Sequence, residues 1–262
     1  MGIDNRFFMQ QINITVNLNV PTAWEHLSQK QLRYFFTVLV LDLAMDEVKT
    51  YCFCRWAGLK VLHRYGSGFM CRKGRQEFVL QPSQVADAIR SLDWLAALPA
   101  RPVRLERIGR RKARPADFQQ VPFEVFIICD NLYQGYLSTR QETLLDQLAA
   151  HLYDTDALRP TAAERVSVFY WFAALKAMLA SEFKHFFQPV GNAGGADGNL
   201  FEQNKSQYEL LNEAVNAQIR ALTKGDITKE KEVLAMDTWR ALAELDAQAR
   251  EYEEINRKYP SK

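Results

Sequence analysis

The stretch that most restricts the fold is VFYWFAALKAMLASEFKHFFQP, residues 168 to 189, which holds seven aromatic side chains. A bilayer, a base-stacking surface or a protein interior could each accept such a segment. A bilayer span needs about 20 consecutive apolar residues. The longest uncharged run here, VSVFYWFAAL over 166–175, is too short, and Lys176, Glu182 and Lys184 interrupt the remainder of the segment. A base-stacking surface places aromatics on strands or loops beside basic residues, a setting this segment lacks. Val168, Phe169, Phe172, Leu175, Met178, Leu179 and Phe183 instead recur at three- and four-residue steps. That arc is wide, as in a helix at the centre of a bundle. Thr161 and Glu164 precede it at the spacing of a capping box.

The same signals organise the rest of the chain. QINITVNLNV, residues 11 to 20, alternates apolar and polar positions and predicts a half-buried strand ending at Pro21. Thr22 with Glu25 predicts a helical turn around Trp24, and Ser28 with Gln31 starts a longer helix, QKQLRYFFTVLVLDLAM. Asp46 can cap a further helix through Leu62. RYGSGFMCRKGRQEFVL reads as a hairpin turning at Lys73-Gly74. Ser83 opens a helix to about Leu98, PVRLERI suits a short strand, and IGRRKARPAD an exposed basic loop. Pro122 fits a first helical turn, which favours a helix over VPFEVFIICDNLYQGYL, although FEVFIIC by itself fits either state. Thr139 with Glu142 starts the next helix.

Beyond Pro189, PVGNAGGADGN has no apolar periodicity and reads as a linker. Two helices follow, joined by TKGDIT, a length that favours an antiparallel hairpin. The second carries Trp239, Leu242, Leu245, Ala249 and Tyr252 on a narrow stripe among charges, the pattern of a helix that seats against another helix. The expected fold is therefore α+β and mainly α. It comprises a helical body with a small antiparallel β element over 1–188, a linker over 189–199 and a helical hairpin over 200–262.

Several chemistries can be weighed against this frame. Four cysteines (Cys52, Cys54, Cys71, Cys129) in 262 residues are too few for a disulfide scaffold. The opening MGIDNRFFMQQ has no apolar leader pattern, which predicts reduced cytosolic thiols. Cys52 and Cys54, with His63 and Cys71 downstream, invite a zinc reading. On a helix, however, residues two apart point roughly 200° away from each other, so both thiolates cannot readily face one ion. Gly191, Gly194, Gly195 and Gly198 follow a helix and lead to no Gly-Lys-Ser/Thr, unlike a phosphate loop. His26, His63, His151 and His185 stand in no recognised nucleophile motif. No catalytic residue, metal or cofactor is assigned, and the expectation is a protein that is not an enzyme.

Net charge is +2, but its distribution is uneven. Between Arg55 and Arg114 fourteen Lys or Arg face four acids, which leaves the remainder of the chain acidic. Arg101, Arg104, Arg107, Arg110, Arg111, Lys112 and Arg114 form the densest part, with Glu106 as the single acid among them. Arginine outnumbers lysine, which suits bidentate pairing with phosphate or carboxylate. The alternatives are contact with nucleic acid, contact with an acidic protein, or a loop that is merely solvated. No helix-turn-helix, zinc-finger or RNP pattern accompanies the segment, so any nucleic-acid contact would be to the backbone.

Three segments, PTAWEHLSQKQLRYF, DNLYQGYLSTRQETLLDQLAAHLY and TKGDITKEKEVLAMDTWRALAELDAQAREYEE, resemble an uncharacterised group of proteins encoded in prophage-like clusters of gut anaerobes. The resemblance implies a structural or tail-assembly role in virion morphogenesis. The C-terminal hairpin is similar to small helical tail-assembly chaperones that coat a tape-measure protein. It implies other tail or virion proteins, or a second copy of this chain, as partners of the stripe. The chain would then act in the host-cell cytoplasm or the virion, with no membrane partner. Nucleic-acid binding through residues 101–114 is the alternative.

Overall fold

The computed structural model describes residues 19–187 and 217–258. Helices α1 (Gln29–Leu39) and α2 (Met45–Trp56) precede strands β1 (Lys60–Tyr65), β2 (Gly68–Lys73) and β3 (Gln76–Leu80). Helix α3 (Pro82–Arg90) and the short strands β4 (Arg107–Ile108) and β5 (Arg111–Lys112) follow. Then come α4 (Phe123–Thr139), α5 (Glu142–Leu152), α6 (Ala162–Glu182) and α7 (Lys184–Phe187). After helical residues 217–223, a short helix Glu230–Leu234 leads to the C-terminal helix Thr238–Lys258. The fold is α+β and mainly α, with small antiparallel β elements. Most of the strand expected over 11–20, the expected linker 189–199 and the first arm of the expected hairpin up to residue 216 lie outside the described residues.

The chain divides into two compact units. The first contains described residues 19–26 and 43–96. Its helix α2 opens with the Ala44 N–H donating to the Glu47 carboxylate at 2.9 Å, so Glu47 provides the cap expected from Asp46. Helix α2 stops at Trp56 and not at Leu62, because Gly58 adopts φ +70°. The Leu59 N–H then closes on the Cys54 carbonyl at 2.8 Å, the left-handed stop that glycine favours. Residues 60–65 are thereby freed to pair with β2, so the expected hairpin is a three-stranded antiparallel meander, β1-β2-β3. Val48, Cys52 and Phe53 of α2, Cys71 of β2, and Leu92 and Leu95 are buried. Trp94 meets Trp24 edge-on at 5.4 Å and stacks with Trp56 at 6.5 Å.

The second unit contains described residues 27–42, 97–187 and 217–258. Helix α6 is its centre, as the aromatic pattern predicts. The Thr161 hydroxyl accepts from the Glu164 N–H at 3.3 Å, and the Glu164 carboxylate accepts from the Thr161 N–H at 2.9 Å, completing the capping box. Val168, Trp171, Phe172, Leu175 and Leu179 are fully buried. Trp171 and Phe172 meet Phe118 edge-on, Phe126 packs on Phe172, and Tyr133 stacks on Phe169. On another side Tyr170 receives Phe35 and Phe36 of α1. Each large ring removed from water contributes about 1.5–3 kcal/mol, so this cluster dominates the stability of the unit.

Helix α1 ends at Leu39, short of the length expected, with Asp42 at φ 54° closing the connection to α2. Pro122 precedes α4, which resolves FEVFIIC as helix. The Thr139 hydroxyl donates back to Gly135, and Gln141, not Thr139, is the residue at the start of α5. The second helix expected after TKGDIT is broken at Ala235–Asp237. There the Met236 carbonyl accepts from the Phe123 N–H at 2.8 Å and Thr238 bonds the Val121 carbonyl through both its N–H and its hydroxyl. Asp237 restarts the helix by accepting from the Arg240 N–H at 3.1 Å.

Candidate functional site

The basic segment that reads as a loop is a hairpin. Gly109, at φ +56°, makes the turn between β4 and β5, and Arg107 pairs with Lys112 and Ile108 with Arg111. Ile108 is 3% exposed and anchors the ribbon in the core of the second unit. The backbone is held from several directions. Gln29 of α1 bonds the Arg104 carbonyl at 3.1 Å and the Glu106 N–H at 2.8 Å. Arg33 donates to the Arg107 carbonyl at 2.8 Å, and the Arg114 N–H reaches the Leu152 carbonyl at 2.9 Å. A ribbon so pinned presents its side chains from a fixed base.

The seven basic residues separate into two groups. Arg101, Arg107, Arg110, Arg111 and Lys112 are exposed. Arg104 and Arg114 are half-buried and serve the fold. The Arg104 guanidinium lies 5.7 Å from the centre of the Trp171 ring, with its Nε buried and without a hydrogen-bond partner. Arg114 donates to the His151 carbonyl at 2.9 Å and pairs with Asp154. Among the described residues no carboxylate pairs with Arg101, Arg110, Arg111 or Lys112.

Beside this ribbon an open cleft of about 430 Å³ is lined by Arg111, Arg114, Gln147, His151, Asp154 and Asp156, among others. Burial, together with the nearby Arg114, lowers the His151 pKa and so favours its neutral imidazole. The other histidines are dispersed: His26 contacts Thr22, His63 contacts the Tyr65 ring, and His185 contacts Glu253. Among the described residues, no group of three or more His, Cys, Asp or Glu side chains converges as a metal site. Burial raises all four thiols, Cys52 to about 12, so they behave as small apolar groups rather than as thiolates. No helix among the described residues is long and apolar enough to cross a membrane.

The C-terminal stripe also separates. The Trp239 indole donates to the Asp117 carbonyl at 2.7 Å and meets Phe183 edge-on at 5.5 Å. Leu242 and Leu245 are buried in the core of the second unit, and Ala249 is half-buried. Tyr252, by contrast, is 66% exposed. Ile255, one turn further on and absent from the predicted stripe, is 57% exposed. Every residue from Arg250 to Lys258 is exposed, while His185 touches Glu253 at 3.0 Å and Asp246 accepts from the Phe186 N–H at 2.9 Å. The predicted stripe is thus a core seam for its first three members and a solvent-facing surface at its end.

No known family model, curated protein or solved structure matches this chain.

Proposed function

We propose that this protein is a non-enzymatic binding protein that holds a polyanion, the phosphate backbone of nucleic acid, on the β4–β5 ribbon. The observation that carries this reading is a cluster of exposed cations, Arg101, Arg107, Arg110, Arg111 and Lys112, on a backbone pinned by Gln29, Arg33 and Leu152. Ordering a flexible loop on binding costs entropy for every side chain immobilised. A ribbon fixed before binding avoids the backbone share of that cost, and arginines arrayed along it match the bidentate geometry of phosphate oxygens. The contacts lie outside any groove-reading helix or base-specific motif, so affinity would depend on salt far more than on sequence. The test is duplex binding at low salt by the full chain and by the variant Arg110→Glu, Arg111→Glu, Lys112→Glu. The variant is expected to lose binding while keeping the parent circular dichroism. Unchanged affinity would remove the ribbon from consideration.

A second reading, an assembly role among phage tail or virion proteins, is supported by the resemblance to prophage-encoded proteins and by the exposed end of the C-terminal helix. Its working surface would be Ala249, Tyr252 and Ile255 rather than the whole predicted stripe, since Trp239, Leu242 and Leu245 are engaged by the chain's own core. Under this reading the chain acts in the host-cell cytoplasm or in the virion. Tagged protein recovered from its native host after prophage induction should bring down tail proteins that resist nuclease. Tyr252→Ala with Ile255→Asp should remove them. Partners that survive this double change, or that dissolve with nuclease, would count against the assembly role.

A further inference from the structure

The basic stretch between Arg55 and Arg114 does not belong to one surface. Its first part falls in the first unit, on the β1-β2-β3 meander. From Lys60 to Leu80, the span of the three strands, there are five Lys or Arg (Lys60, Arg64, Arg72, Lys73, Arg75) and one acid, Glu77. That acid sits 3.8 Å from Arg72. Among the described residues strand β1 is one edge of the sheet, and five of its six residues are exposed. Apolar and aromatic groups interleave with this charge. Tyr65 is 52% exposed, Phe69 39% and Val61 49%, and the His63 ring contacts Tyr65 with centroids 6.5 Å apart. Arg64 lies directly across from Phe69 on one face of the hairpin, and Tyr65 from Gly68 on the other, which Tyr65 shares with His63 two residues before it.

We infer that this hairpin is a binding site for single-stranded nucleic acid, in which His63 and Tyr65, on one face of β1, stack on unpaired bases and Lys60 and Arg75 meet the phosphates. Strand-borne aromatics beside basic residues are the arrangement that single strands require, because every base offers a flat face while the backbone offers only charge. The net positive charge of the sheet fixes the class of partner as anionic. The exposed rings distinguish a single strand from a duplex, whose bases are already stacked. A partner protein would leave this excess of cations uncompensated unless it were strongly acidic. The site lies in the other unit from the β4–β5 ribbon and shares with the preceding proposal only the class of ligand.

The full chain would be titrated with an oligothymidylate of about 16 nucleotides, the upper end of the usual site size for such surfaces. An abasic strand of the same length and a duplex would be titrated in parallel. The thymidylate strand should bind at least about fivefold more tightly than the abasic strand, the smallest gain that one stacked base confers. Tyr65→Ala with His63→Ala should abolish that preference, whereas Tyr65→Phe, which keeps a ring, should retain it. Equal affinity for thymidylate and abasic strands, no binding of either at low salt, or a preference that survives the double change would each overturn the inference. Charge reversal at Arg110, Arg111 and Lys112 separates the two sites. It should weaken duplex binding and leave the ratio between thymidylate and abasic strands unchanged.

Discussion

Glu164 shows how much one side chain of this protein holds together. It closes the capping box of α6 and also accepts from Arg33 of α1 at 2.8 Å, so one carboxylate orders a helix start and ties two helices. Burial by itself would raise its pKa. The Thr161 N–H, the Arg33 guanidinium and the Thr161 hydroxyl together outweigh burial and leave it below the ordinary value. A carboxylate held low binds fewer protons when folded than when unfolded. Its stabilisation is therefore complete above the ordinary glutamate pKa of about 4.3 and is lost as pH falls through the lower folded value. Urea midpoints followed downward from about pH 5 should fall more steeply for the parent than for Glu164→Gln; parallel curves would deny the carboxylate this role. Side-chain fate is also where the sequence was least legible. Composition reveals seven clustered cations, but only tertiary neighbours decide that Arg104 covers Trp171 and Arg114 reaches His151 and Asp154 while the other five face solvent.

Among the elements, those with local chemical signals were readable and those fixed by distant partners were not. The aromatic helix carries both its cap and its apolar arc within its own residues, and α6 follows both. Strand β1 was hidden because Leu59 and Leu62 continue the helical spacing of α2, and the stop at Gly58 is a single glycine. The break before the C-terminal helix depends on Phe123 and Val121, over a hundred residues away in sequence, although Asp237-Thr238 is a local start signal that could have been read. The C-terminal helix yields the sharpest prediction at this scale. Leu242→Ala should cost about 2–5 kcal/mol, since it removes a fully buried side chain and leaves a cavity. Tyr252→Ala on the same helix should change stability by less than about 0.5 kcal/mol, as exposed positions do. Denaturant titration of both variants checks this, and similar losses would mean that the helix is not divided into a buried half and an exposed half.

At the scale of the molecule the rings of the core stand apart from most of the exposed charge, the β1–β2 hairpin excepted. Most rings fill the interior around α6, where Trp171, Phe172, Phe118 and Phe126 meet. The densest runs of cations stand on or beside two small β elements, one in each unit. Under the proposed function these arginine-bearing hairpins are the surfaces that would meet a polyanion. The most direct measurement is the slope of log affinity for duplex DNA against log salt. Three ribbon cations that each release one condensed counterion contribute about −0.9 apiece. The parent slope should therefore be steeper by roughly 3 than that of Arg110→Gln, Arg111→Gln, Lys112→Gln. Identical slopes, or a parent affinity indifferent to salt, would contradict the account.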